Sequence, residues 1–193
     1  VAIDGGALSE VVEKAKKAGI RVIAYDRLIL DANVDLYISF DNEKVGILMG
    51  ELLREALEDE GTIICINGSP TDNNVELVFG GFKKALRGSD ILIDETGYAD
   101  HWLAEVGFDF VSDYLAEGNV PDAIMCGNDD IATQVVKALS ENRLAGQVCV
   151  TGQDADLAAC QRIVGGTQYM TVDEPLELLA QRAAEMSVAL AEG

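Results

Sequence analysis

The 193-residue chain carries 34 acidic and 14 basic residues, a formal net charge of −20 and a sequence pI near 4.1. So negative a chain argues strongly against a nucleic-acid partner, whose phosphates require a basic surface, and equally against a surface built for anionic lipid. Hydrophobic residues make up 49% but aromatics only 6%, enough for one large core or two small ones built mainly from Val, Ile, Leu and Ala.

The chain opens on Val1-Ala2-Ile3-Asp4-Gly5-Gly6, which reads as the end of a strand with nothing before it to pair with. The sequence is therefore expected to be a piece of a longer protein. Apolar strand-like runs follow at 21–25, 35–39, 62–67, 90–96, 122–126, 147–151 and 168–172. Helical patterns fall between most of them, at 7–18, 43–59, 74–87, 102–117, 129–141, 155–163 and 175–191. In 43–59, Val45, Leu48, Met49 and Leu52 recur at helical spacing while Glu51, Arg54 and Glu55 take the opposite face. Gly19, Gly88 and Gly118 close helices, Asp100 is expected to cap the helix starting at Trp102, and Pro175 suits the first turn of the last one. No run reaches the roughly 18 apolar residues of a membrane helix, so no direct membrane insertion is expected. The alternation predicts right-handed βαβ units, an α/β fold of two doubly wound parallel-sheet domains.

One connection breaks the rhythm. Tyr25 to Asp41 joins two strands with no room for a helix, which predicts that 35–42 crosses from one sheet to a second, with Thr171–Glu174 the return. On this reading 42–172 forms a C-terminal α/β domain, and 1–41 with 173–193 forms part of an N-terminal one.

Metal and cofactor chemistry find no footing. Cys65, Cys126, Cys149 and Cys160 show no Cys-x2-Cys spacing and His101 is the single histidine, so no zinc site is expected and the cysteines read as buried free thiols. Asp31-Ala32-Asn33-Val34-Asp35 suggests a calcium loop, but the sixth position is Leu36 and the twelfth Asn42; a solvated turn is the better description. Asp4-Gly5-Gly6-Ala7 lacks the Lys-Ser/Thr and the full glycine pattern of a phosphate loop. No metal and no cofactor are expected.

Three strands instead end in polar clusters: Gln153, Asp154 and Asp156; Asn128, Asp129 and Asp130; Asp26 and Arg27. Carboxylates and amides at the mouth of parallel strands hold polar small molecules, and each has a plainer structural alternative. One acid of 129–130 serves as a helix cap, leaving Asn128 to reach a ligand. Arg27 either clasps hydroxyls with its fork of donors or forms a surface ion pair with Asp26 or Asp31. In Ser69-Pro70-Thr71-Asp72-Asn73-Asn74, Thr71 or Asp72 is a helix cap, but three successive amide or carboxylate side chains exceed what capping needs, and Asn both donates to and accepts from hydroxyls. Trp102 is either core or a stacking platform for a sugar ring. Asp156 starts a helix. Ser69 and Cys126 have no neighbouring base, and Asp154 and Asp156 point apart rather than forming a glycosidase pair, so no enzyme is expected.

With these residues assembled, the chain resembles the periplasmic sugar-binding proteins of ABC transporters, of the type I fold, and within them the xylose binders. The resemblance runs from about Leu8 to the C-terminus. It rests on Ala24-Tyr-Asp-Arg-Leu28, Tyr37-Ile-Ser-Phe-Asp-Asn-Glu-Lys-Val-Gly46, Ser69-Pro-Thr-Asp-Asn-Asn74, Gly127-Asn-Asp129, Thr151-Gly-Gln-Asp-Ala-Asp-Leu157 and Gly166-Thr-Gln168. It implies two α/β domains that close on a monosaccharide at the carboxyl ends of both sheets. Arg27, Asn74, Trp102, Asn128 and Asp154 fall where the family holds its pentose, with Asp72, Asn73 and Glu174 as further candidates. Trp102 would stack on the ring and the other four would hydrogen-bond hydroxyls. Two departures stand out. Glu174 occupies a place where the xylose binders carry a basic residue, and the family's first strands and final crossover are missing. The resemblance further implies a monomer, periplasmic or extracellular, lipid-anchored if a segment outside this chain supplies the anchor, with a membrane permease as partner. The alternatives within the fold are a sensor signalling to a histidine kinase or chemoreceptor, and the effector domain of a sugar-responsive repressor, which the charge of −20 disfavours.

Overall fold

The computed structural model describes residues 1–2 and 4–192; the strand end expected over 1–4 includes Ile3, which lies outside them. In chain order the elements are α1 (Ser9–Lys17), β1 (Ile23–Tyr25), β2 (Leu36–Ile38), α2 (Asn42–Ala56), β3 (Glu60–Asn67), α3 (Asn73–Ala85), β4 (Asp90–Tyr98), α4 (Glu105–Ala116), β5 (Ala123–Cys126), α5 (Asp129–Glu141), β6 (Cys149–Gln153), α6 (Leu157–Val164), β7 (Met170–Val172) and α7 (Leu176–Glu192). They fall into two units: residues 42–70 and 75–173 form the larger, and residues 1–41, 71–74 and 174–193 the smaller. The sequence pattern places 71–74 with the middle of the chain. The structure ties it to the smaller unit through a bond from the Gly5 N–H to the Thr71 carbonyl and the Arg27–Asp72 ion pair.

In the larger unit five parallel strands run in the order β4-β3-β5-β6-β7. Alternate residues of a strand point to opposite faces, and here both faces are covered. Ile64, Ile66, Ile124 and Val150 pack with Val111, Ile131, Val135 and Leu139 of α4 and α5. Their neighbours Ile63, Cys65, Ala123 and Met125 pack with Val45, Met49, Val78 and Phe82 of α2 and α3. Two-sided burial explains why these strands read as unbroken apolar runs. The order reverses direction between β3 and β5, the switch point at which open α/β sheets take ligands beyond their carboxyl ends.

Helices α2 and α3 approach to backbone contact. A Cβ on Gly46 would stand 1.8 Å from the Val78 carbonyl oxygen, and one on Gly81 would stand 2.0 Å from that of Glu43. Helix α2 ends at Ala56, three residues short of the expected 59, because Glu58 and Asp59 adopt left-handed backbone (φ 53° and 66°). The helix expected from Trp102 begins at Glu105. Asp100 instead opens a 3₁₀ turn (Asp100–Trp102), and its carboxylate accepts the N–H of His101 at 2.9 Å.

The smaller unit holds α1, β1, β2 and α7, and Ala2, Val12, Ala24 and Ile29 form a buried cluster within it. Strands β1 and β2 pair in parallel, with Ile23 opposite Leu36 and Tyr25 opposite Ile38. Strand β2 thus stays beside β1 rather than joining a second sheet, and the chain passes to the larger unit at the end of the 35–42 stretch, after Asp41. A helix-free connection suffices because strands of three residues need only a short return, which buries Ile29 on the way. Asp35 ties this turn down, accepting the Val22 N–H at 2.9 Å; that hydrogen bond holds its carboxyl below the ordinary value. Cys65 and Cys126 are buried, Cys149 is half-buried and Cys160 is exposed, so Cys160 corrects the expectation of four buried thiols. Burial pushes the Cys65 thiol up to about 12. No helix among the described residues is long and apolar enough to cross a membrane.

The α2–α3 contact makes a prediction. Gly46→Ala is expected to cost about 3 kcal/mol, since an overpacked site must displace backbone. Gly80→Ala, whose added carbon meets nothing within 4 Å, should leave stability unchanged or raise it by up to about 1 kcal/mol. Urea unfolding midpoints measure both, and equal effects would contradict the backbone contact.

Candidate functional site

Three of the predicted residues lie beyond the carboxyl ends of strands in the larger unit's sheet: Trp102 after β4, Asn128 after β5 and Asp154 after β6. The ends of β3 and β5 are drawn together there. The Gly127 N–H donates to the Ile66 carbonyl at 2.8 Å, and a Cβ on Gly127 would stand 2.6 Å from the Gly68 nitrogen. Gly68 in turn makes room for Trp102, whose indole Cη2 lies 2.2 Å from where a Gly68 Cβ would be. His101 and Trp102 both adopt positive φ, 52° and 59°, and the half-buried Trp102 packs beside the core under α4 and α5.

Asn128 is itself the cap of α5: its Oδ1 accepts the Ile131 N–H at 2.9 Å. That corrects the expectation that a neighbouring acid would cap and leave Asn128 for a ligand. Capping occupies only the amide oxygen, so the Nδ2 hydrogens remain for a hydroxyl. The neighbouring Asp129 turns inward instead and is fully buried. Its Oδ1 accepts from Gln168 Nε2 at 2.9 Å, and its Oδ2 from the Thr171 hydroxyl at 2.9 Å and the Asp156 N–H at 3.1 Å. Gly152 leaves the space: a Cβ there would stand 2.0 Å from Asp129 Oδ1. Burial pushes the Asp129 carboxyl above its ordinary value, and the three donors pull it back only in part. Arg162 braces the same cluster, donating to Gln168 Oε1 at 2.8 Å and to the Asp129 carbonyl at 3.1 Å.

Directly above this cluster the chain passes through two left-handed residues, Asp154 (φ 103°) and Ala155 (φ 51°). Their backbone is held donor by donor. The Asp154 N–H bonds the Val172 carbonyl at 3.0 Å, the Ala155 N–H bonds the Thr171 hydroxyl oxygen at 3.1 Å and the Asp156 N–H bonds Asp129. Asp156 caps α6 through its side chain, which accepts the Ala159 N–H, while the side chain of Asp154 stands exposed.

In the smaller unit the structure brings Arg27, Asp72 and Asn74 together. Arg27 Nε lies 2.9 Å from Asp72 Oδ2 and 4.0 Å from Asp26 Oδ2, so its main partner is Asp72 rather than the Asp26 or Asp31 expected for a surface pair. The contact at Oδ2 is one of charges, outside hydrogen-bond alignment. The Asp72 side chain is wholly buried, and its Oδ1 caps α3 by accepting the Asn74 N–H at 3.0 Å. Asp72 thus seats Arg27 and starts a helix. Asn74 Nδ2 donates to the Asp26 carbonyl at 3.3 Å, and its Oδ1 lies 3.5 Å from the Tyr37 hydroxyl. Burial pushes the Asp26 carboxyl above its ordinary value, with Arg27 drawing it back. Asn73 is the first residue of α3, and Glu174 sits half-buried between β7 and α7.

The sequence offers Asp129 or Asp130 only as a helix cap and gives no role to Gln168, Thr171 or Arg162. One signal was available: Gln168 and Thr171 are polar residues in a run expected to be buried on both faces, where an amide or hydroxyl needs a partner.

A family model described as a periplasmic binding protein domain matches residues 1–193. The chain is 44% identical over 195 residues to a D-xylose-binding periplasmic protein of Escherichia coli, covering 98% of this chain and 59% of that protein. It is also 44% identical over 192 residues to a D-xylose-binding periplasmic protein of Haemophilus influenzae, covering 97% and 58%. It therefore spans about six-tenths of the length of these curated relatives. Among solved structures, an ABC transporter solute binding protein from Clostridium phytofermentans with bound β-D-glucose superposes with a TM-score of 0.89 at 30% identity, over 100% of this chain and 66% of that one.

The cap at Asn128 separates folding from binding. Asn128→Ala should cost about 1 kcal/mol of stability, whereas Asn128→Asp, an equally good cap, should cost almost nothing while removing the Nδ2 donors. Thermal or urea unfolding of the two variants checks this, and an equal loss in both would contradict the capping role.

Proposed function

The chain belongs to the periplasmic binding protein domain family, and from that premise we propose that it is part of a protein that binds a monosaccharide, D-xylose or a related aldopentose, on the periplasmic or extracellular side of a membrane and delivers it to an ABC-transporter permease. The observation that carries the reading is the exposed Asp154 side chain, on a backbone held beyond the end of β6 by three N–H donors that are all engaged. A carboxylate only accepts, so a pair of neighbouring sugar hydroxyls is its natural complement, and such charge-assisted bonds are short and strong.

The other residues have complementary tasks. The Nδ2 group of Asn128 donates to a hydroxyl, and Trp102 offers an aromatic face to the C–H side of the ring. From the smaller unit, Arg27, held beside Asp72 by charge, supplies further donors, and Asn74, whose Nδ2 is taken by Asp26, offers the second lone pair of its Oδ1 to a hydroxyl. Asn73 and Glu174 are the positions that tune which sugar is taken. The 44% identity to D-xylose-binding periplasmic proteins supports xylose first. The protein acts as a monomer.

Isothermal titration of the full-length protein with D-xylose, ribose, arabinose, glucose and galactose tests this. Saturable heat is expected with xylose or a close aldopentose, and no heat with any of them would overturn the reading. Trp102→Ala should weaken binding at least tenfold, a loss of about 1.4 kcal/mol, with the far-UV circular dichroism unchanged. Unaltered affinity would return Trp102 to a purely structural role.

A further inference from the structure

Asp154 and Ala155 are two successive non-glycine residues in left-handed backbone, a conformation that persists only where the surroundings over-determine it. Here the restraint converges on one group. Asp129 takes the Asp156 N–H directly and the Ala155 N–H through the Thr171 hydroxyl, which accepts from Ala155 and donates to Asp129. We infer that Asp129 is the positioning residue for Asp154: its buried carboxylate holds the 154–156 turn so that the Asp154 side chain is presented to ligand. This rests on the sugar-binding reading for the identity of the ligand, but the restraint itself is a property of the turn.

Donor and acceptor accounting makes the requirement specific to a carboxylate. Gln168 is fixed in orientation, because its Nε2 also donates to the Met170 carbonyl at 3.0 Å while its Oε1 accepts from Arg162. It therefore meets Asp129 as a donor. The Asp156 amide meets the other oxygen, and it too can only donate. A group that accepts on both sides satisfies this arrangement. An amide of the same shape places an NH₂ against one donor whichever way it is turned. Neither a cap nor a charge at the start of α5 demands that, since Asn128 already supplies the cap.

The test uses the full-length protein with Asp129→Asn and, because that variant risks failing to fold, Thr171→Val, which removes only the hydroxyl between Ala155 and Asp129. Two readouts are taken well below the unfolding temperature: the Kd for D-xylose, and amide hydrogen exchange at Ala155 and Asp156 without sugar. We expect Asp129→Asn to raise the Kd at least tenfold and Thr171→Val to raise it severalfold, with faster exchange at Asp156 and Ala155 respectively. A purely structural Asp129 would lower Tm and leave Kd and local exchange unmoved. Folded variants that bind and exchange as the wild type does would overturn the inference. If Asp129→Asn does not fold, Thr171→Val decides by the same criterion. Should the wild type bind no aldose, the sugar reading falls alone, and exchange at 155–156 still decides whether Asp129 holds the turn.

Discussion

The buried carboxylate of Asp129 is the constraint on which the mouth of the larger unit's sheet depends. A charged group without solvent exposure costs several kcal/mol unless donors replace the water it has lost. Asp129 recruits those donors from three places: the side chain of Gln168 just before β7, the hydroxyl of Thr171 within β7 and the backbone of the turn after β6. Removing any donor leaves the charge less offset. The start of α5, the strand β7 and the 154–156 turn therefore hold together as one body. The empty side of Gly152 completes the arrangement, since any side chain there would occupy the carboxylate's place.

That constraint works because the sheet beneath it is rigid. Strands β3 and β5 lie at the centre, with Ile64, Ile66 and Ile124 toward one helix layer and Ile63 and Met125 toward the other, all fully buried. Close packing of this kind transmits small displacements rather than absorbing them. The polar residues sit where the apolar strands stop, so their positions inherit the register of the sheet. In the smaller unit the same logic runs through a different acid: buried Asp72 both caps α3 and faces Arg27, so one residue sets a helix start and a guanidinium.

Much of this was legible in the sequence, for a physical reason. Two-sided burial writes strands as apolar runs, and one-sided burial writes helices at a period of 3.6, so α5 at Asp129–Glu141 could be read residue for residue. Features that depend on long-range pairing were not legible. Strands β1 and β2 lie side by side, yet nothing in the 26–35 stretch signals it. Glycines 46 and 81 look like weak points in two helices until the crossing is seen. Asn128 and Asp129 are adjacent acceptors at a helix start, and local sequence does not say which one caps. The answer lies with Gln168 and Thr171, 39 and 42 positions further along. The strand-end candidates Trp102, Asn128 and Asp154 were found because a polar cluster after an apolar strand is a local signal, whereas the residue that holds the turn has none.

The central claim, that Asp129 acts on ligand through Asp154, is open to a double-mutant cycle. Affinity for D-xylose is measured by titration in the full-length wild type, Asp129→Asn, Asp154→Ala and the double variant. With Asp154 already truncated, Asp129 has no carboxylate left to present, so the double variant should bind about as weakly as Asp154→Ala alone. Losses that add in full would show that the two residues act independently and would contradict the account.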